Sequence, residues 1–414
     1  MLFRSTARSV AGAAGILMAI LTLTSCSEGG AGTDGPEQVD AAFPDETQGA
    51  LQAALDGAVA ASGATGAIVG VWAPWSGSWV EGIGAGDPAQ IFRFADITRP
   101  MTCDAMYSLG AAGTIRLDDP PSRSVGTVAG LPESVTVQQL CDGTSGIGSY
   151  SAILGPEFLE TPERVWNPSE LVAYGVGTYD PDLAGTYRDS DAGYVLLGEV
   201  LARAARTDEA DLLSERVFDP LGLRSTRLPG PEPASPGEPA LPGYVTLPGP
   251  DGVRDCSAPT DYTVISPSIG TTDSGAVGTI TDLAQYARAL AAGALLPAGT
   301  DRFATAVAVP GQPSWLTAGG GALRAGSLVG QFGSITGYLT AAFSDPDTGL
   351  TVAVVLNNSA AGDAMIAALA WELAAIASKA PAASGQQAPE AGLPWTAQQF
   401  HDQIAAAAIC PPAV

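Results

Sequence analysis

Apolar positions recur with helical spacing over Gln48–Ala61, which predicts an amphipathic helix near the start of the folded part. Two runs rich in β-branched and aromatic residues follow, Ala67–Ala73 and Gly77–Ile83. Pro74-Trp75-Ser76 joins them, as in a hairpin. A helix carrying Asp96 comes next and ends near Gly113. Pro229–Pro250 is dense in Pro and Gly and reads as loop. Thr351–Leu356 is an unbroken apolar strand, and Ala364–Ser378 a closing helix. Beyond it, Ala380–Gly392 reads as a linker and Thr396–Ala408 as a short helix.

The first residues follow a different pattern. Arg4 and Arg8 precede an apolar run, Val10–Leu23, that is too short for a spanning helix of ~20 residues and reads as an export signal. Leu23-Thr24-Ser25-Cys26 then has the form of a bacterial lipobox, which makes Cys26 the lipidated first residue of the mature chain. The competing reading is an ordinary secretory signal that happens to carry a cysteine. Acyl chains on Cys26 would anchor the protein to the extracytoplasmic face of the cell membrane. Ser27–Pro44, rich in Gly, Asp, Glu and Ser, reads as a flexible tether.

Composition narrows the chemistry. The formal charge is −25 over 414 residues, which argues against nucleic acid and anionic lipid surfaces as partners. Lys379 is the single lysine and His401 the single histidine, and both lie in the last 36 residues. No Ser-His-Asp triad, His-containing metal cluster or catalytic lysine can therefore be assembled in the body of the chain. No cofactor or metal is expected. Besides Cys26 there are four cysteines, Cys103, Cys141, Cys256 and Cys410. An even number in an exported chain suggests two disulfides, with three possible pairings.

Phe92–Pro120 carries the most specific signal. Phe92, Arg93, Ala95, Thr98, Gly113, Leu117, Asp118, Asp119 and Pro120 resemble the nucleophile segment of the class C β-lactamase / D-alanyl-D-alanine carboxypeptidase family. There a strand end runs into Ser-x-x-Lys on a helix. In this chain the serine position holds Asp96 and the lysine position Arg99. Further motifs keep the family's order. The segment from Thr136 resembles its T-I-x-x-L-L-T-H-T-S-G-I, with Gly143 in the histidine's place. Asp189 to Gly198 resembles Y-S-N-x-x-Y-x-L-L-G, with Asp189 for the tyrosine and Asp191 for the asparagine; Tyr187, two residues earlier, matches another aromatic position. Gly330 to Tyr338 resembles G-H-x-G-x-x-P-G-Y, with Gln331 where His or Lys would stand.

The resemblance covers Gln48 to Ser378 and implies an α/β (α+β) fold. An antiparallel sheet flanked by helices would use 47–105 and 272–380, a mostly helical lobe 106–271, and 381–414 would be linker and helix. Signal and tether take 1–25 and 26–46. Because Cys103 lies on the Asp96 helix and Cys141 in the next motif, it favours Cys103–Cys141, leaving Cys256 with Cys410.

The replaced positions bear directly on catalysis. Residues three apart on a helix share a face, so a neutral lysine can take the serine's proton. Arginine stays protonated and cannot serve as that base. Asp96 attacking an amide or lactam would give a mixed anhydride, a poor intermediate beside an ester. The bland reading of the two residues is a helix-start aspartate in an i,i+3 ion pair. Four altered reactive positions, Asp96, Arg99, Asp189 and Gln331, point to a cleft that binds rather than turns over. Asp191 would be a further ligand contact. Expected partners are a peptidoglycan fragment, another envelope ligand or an envelope protein. One alternative is a hydrolase using Asp96 and Asp189, or a bound cation such as Ca²⁺. Another is a remnant with structural value only.

Overall fold

The computed structural model describes residues 36–390 and 392–410. The export signal and Cys26 lie outside the described residues. Helix α1 (Asp45–Ser62) precedes the hairpin of β1 (Gly66–Ala73) and β2 (Gly77–Gly84). Helix α2 (Thr98–Ala111), helix α3 (Asp191–Ala205) and helix α4 (Ile280–Ala292) follow. The remaining strands are β3 (Val307–Ala308), β4 (Leu316–Gly319), β5 (Ala322–Ala325), β6 (Leu328–Ile335), β7 (Tyr338–Ser344) and β8 (Thr351–Leu356). Helices α5 (Asp363–Ala377) and α6 (Ala397–Ala406) end the described chain.

The eight strands form one antiparallel sheet in the order β2-β1-β8-β7-β6-β5-β4-β3. The N-terminal hairpin and the Gly330 strand thus share a sheet, and the mixed helix-and-sheet fold is the one the motifs imply. Two helical layers explain why β1, β7 and β8 lack polar alternation: with both faces covered, nearly every position is buried. On one face Val69, Val354, Leu339 and Phe343 pack with Leu51 and Leu55 of α1 and Leu369 and Leu373 of α5. On the other, Ile68, Ala353 and Val355 pack with Leu283 and Ala287 of α4 and continue into the helical segment around α2 and α3.

Two segments expected to be loose are docked. Residues 36–44 are not a free tether, because Phe43 is buried and Ala42 bridges Ser78 of β2. The Ala380–Gly392 linker is held at its start, where the Trp75 indole donates to the Ala380 carbonyl and the Ala383 amide to Trp75. Helix α6 adds Phe400 and Ile404 to the core, and the Trp395 indole donates to the Trp371 carbonyl. His401 pairs with buried Glu372 there, on α5. Disulfides join Cys103 to Cys141 and Cys256 to Cys410.

Candidate functional site

The site begins where a short ladder hands over to a helix. Phe92–Arg93 pairs with Val277–Gly278, and the Phe94 amide donates to the Ala276 carbonyl at 2.8 Å. Arg93 is fully buried without a carboxylate partner; it donates to the carbonyls of Ala234 and Thr263, and burial lowers it to about 10. Ala95 then turns the chain with φ +51, a left-handed conformation that costs an alanine ~1 kcal/mol. The turn places Asp96 over β6. A Cβ on Gly333 of that strand would collide with the Asp96 carboxylate, so only glycine allows the approach.

The first turns of α2 are bolted to the chain that precedes α4. The Thr98 hydroxyl donates to Ala95 and accepts from the Ala276 amide, and the Thr102 hydroxyl donates to the Thr272 carbonyl at 2.7 Å. That seam brings Asp273 beside Arg99, although 174 residues separate them. On the far side Ser190 caps α3 through the Gly193 amide, which sets Asp189 at the cleft mouth. The Tyr194 ring lies under the Arg99 guanidinium, 5.0 Å from its centroid.

Arg99 is the hub of the site. Its Nη1 lies 3.0 Å from Asp96 Oδ2 and 2.8 Å from Asp189 Oδ1, and its Nε lies 2.7 Å from Asp273 Oδ1. Arg99, Asp96 and Asp273 are buried, whereas the Asp189 side chain is 58% exposed. Burial pushes the Asp96 carboxyl well above the usual carboxylate range; Arg99 opposes the shift, and Asp273 and Asp189 add to it by like-charge repulsion. Burial likewise lifts Asp273 to about 6 against the pull of Arg99. The same carboxylates hold Arg99 protonated despite its own burial. Asp96, Arg99 and Asp273 line a cleft of about 400 Å³ with Asp189, Asp191 and Asp363.

Two expected members behave differently. Gln331 is buried on β6, but its amide donates to the Gly321 carbonyl at 3.0 Å and it does not line the cleft. It cannot stand in for the family's last-strand His or Lys. The reason is local: Gly321 brings a free carbonyl within reach, and a buried amide takes the nearest partner. Asp191 does reach the cleft wall, yet it makes no ion pair with Arg99. Its oxygens accept from the Tyr150, Ser151 and Ala192 amides and the Ser149 and Ser151 hydroxyls, which makes it a clamp on the 149–151 turn. Gly143, in the histidine's place, has φ +65, and the Tyr187 ring occupies the space beside it.

Sequence reasoning missed Asp273 and Asp363. Asp273 sits in the short helix Thr271–Ser274 and Asp363 in the first turn of α5, where a carboxylate reads as ordinary helix-dipole chemistry. Burial lifts Asp363 as well, opposed by the Ser334 hydroxyl.

The cleft contains serines, and neither the chain's lysine nor its histidine is near them; Ser151 instead donates to the Asp191 carboxylate. Lys379 and His401 lie away from the cleft, His401 on Glu372. The Tyr150 phenol is turned to the Ile269 carbonyl at 2.6 Å and burial pushes it well up. Among the described residues no lysine or histidine lines the cleft. No three His, Cys, Asp or Glu residues are placed to hold a metal ion among the described residues.

The family model described as Beta-lactamase matches residues 46–376. The chain belongs to the beta-lactamase family. Penicillin-binding protein 4* of Bacillus subtilis (strain 168) is 26% identical over 145 residues; the match spans 33% of this chain and 30% of that relative. A D-stereospecific amidohydrolase from Streptomyces sp. superimposes with a TM-score of 0.67 at 28% identity, over 76% of this chain and 95% of the other. The D-amino acid amidase from Ochrobactrum anthropi SV3 gives 0.63 at 24% identity over 76% and 92%, a likeness of fold alone. Against the family frame, Asp96 in the Ala95–Ile97 turn and Arg99 at the start of α2 stand where the motif puts its serine and lysine, and they are joined in an ion pair.

Proposed function

We propose that this beta-lactamase-family chain is a non-catalytic binding protein of the cell envelope, held on the extracytoplasmic face of the membrane by a lipid on Cys26. The observation that carries this reading is the Arg99 hub. Arg99 is a permanent cation whose Nε and Nη1 are engaged by Asp273, Asp96 and Asp189, so the position that would activate a nucleophile supplies no base. The cleft remains open and mixed in character, which suits binding of an envelope ligand such as a peptidoglycan fragment, or a segment of an envelope protein. Hydrolysis of D-amino acid amides, simple esters and a chromogenic cephalosporin tests it. The wild type should show no turnover above background. Asp96→Ser with Arg99→Lys should restore little, because Asp189 and Gln331 still occupy the other reactive positions. Saturable wild-type turnover would overturn the reading.

One observation favours a second reading, a hydrolase that works with carboxylates. Asp273, at about 6, has the poise of a general acid or base near neutral pH. In that case turnover should follow a pH profile with a limb near 6 that Asp273→Asn removes.

A further inference from the structure

The charge of the cleft is its most distinctive feature. Five carboxylates line it, Asp96, Asp189, Asp191, Asp273 and Asp363, and one guanidinium, Arg99, sits among Asp96, Asp189 and Asp273. A second arginine, Arg254, also borders the cleft; its Nη1 donates to the Thr246 carbonyl, and its charge leaves the lining acidic on balance, two guanidiniums against five carboxylates. Asp363 stands outside the Arg99 hub. Its Oδ1 is shut off from solvent and accepts no hydrogen bond, and Ser334 opposes the rise that burial gives the carboxyl. A carboxylate oxygen left in that state is costly, and a cation held near the carboxyl would offset part of the cost electrostatically without touching that oxygen. Asp189 lies within electrostatic reach of Asp363 and is open to solvent at the mouth. Between these acids and the far wall the lining turns apolar, with Phe158, Leu159, Ile269 and Ile335.

Resting on the non-catalytic reading of the cleft, we infer that its ligand is an organic cation, an ammonium or guanidinium group on an apolar body. The charged head would sit between Asp189 and Asp363 and the body against the Phe158 side. An anion would meet surplus negative charge and find Arg99 already engaged three times. A metal ion fits less well, because three of the carboxylates are turned onto Arg99 rather than gathered about a common point. The arrangement also fixes a pH signature. Arg99, Asp191 and Asp189 act on Asp273, and Asp189, Arg99 and Ser334 on Asp363. A bound cation favours the ionised form of both acids, so binding releases protons and strengthens as pH rises through about 6, the value of Asp273.

Calorimetric titration of the full-length protein with phenethylammonium, 2-phenylethanol, 3-phenylpropionate and calcium chloride tests the inference. Phenethylammonium should bind at least about tenfold tighter than its neutral and anionic analogues. Its affinity should fall about tenfold or more in Asp363→Asn and in Asp189→Asn, and should rise with pH as stated. The inference is overturned by equal binding of the alcohol, by preference for the propionate, by calcium displacing the ammonium, or by no ammonium binding up to tens of millimolar. Turnover in the hydrolysis panel would remove the non-catalytic reading alone, since the charge preference is read from the titration.

Discussion

Replacing Arg99 with Met takes away the one cation that three carboxylates share. Arg99 is 4% exposed, Asp96 7% and Asp273 3%, so two of the three pairs are buried. Removing one partner of a buried pair costs ~3–5 kcal/mol, because the other charge is left without compensation. The half-exposed Asp189 adds no more than ~1 kcal/mol. The expected loss at pH 7 is therefore roughly 3–5 kcal/mol. For a unit of this size that is ~4–8 °C in Tm. The loss should shrink in acid. Asp96 and Asp273 are already raised in the native protein, first by burial and against the pull of Arg99. A carboxylate raised by folding gives stability that is full below its unfolded pKa of ~3.9 and declines as pH climbs through the folded value. Losing Arg99 raises both groups further and steepens that decline. Between about pH 7 and about pH 4 the variant should recover ~1–2 kcal/mol relative to wild type. Thermal melts of both proteins at the two pH values measure it. A variant with Asp96→Asn and Asp273→Asn added should regain most of the loss, since the buried charges leave together. Equal losses below ~1 kcal/mol at both pH values would refute the reasoning and make Arg99 an ordinary solvated residue.

Asp191→Ala should cost ~2–4 kcal/mol in denaturant unfolding, because buried amides of Tyr150 and Ala192 lose their acceptor. Gly333→Ala should cost ~1–3 kcal/mol, by driving β6 and Asp96 apart, and should weaken any ligand of the cleft. Cys26→Ala should leave the melting temperature unchanged and release the protein from membranes or leave it unprocessed, as fractionation and N-terminal sequencing would show.

Much of this architecture is legible in local pattern. The Gln48–Ala61 periodicity became α1, the Pro74-Trp75-Ser76 turn became the β1–β2 connection, and Thr351–Leu356 became β8. These elements announce themselves because burial on one stripe or on both faces writes directly into residue order. Three motif positions made the hub legible: Asp96, Arg99 and Asp189 do converge. Asp273 and Asp363 carry no such mark. Each is a lone acid at a helix start, and only the Thr98 and Thr102 seam makes Asp273 a neighbour of Arg99. Gln331 shows the converse: its position in the strand follows the motif, but its side-chain direction was set by a carbonyl ten residues away. The docking of residues 36–44 was hidden by the Gly-rich, acidic run of sequence that precedes them, and Phe43 alone supplies the buried anchor.

The central claim is that the cleft holds a ligand and forms no bond to it. Intact-mass measurement of the protein after prolonged incubation with a panel of penicillins, cephalosporins and D-amino acid esters tests this most directly. The account predicts an unchanged mass in every case, because among the described residues no lysine or histidine lines the cleft and the nucleophile position is an aspartate paired with arginine. A stoichiometric acyl adduct mapped to Ser151, Ser274, Ser334 or Ser359 in the cleft would contradict it.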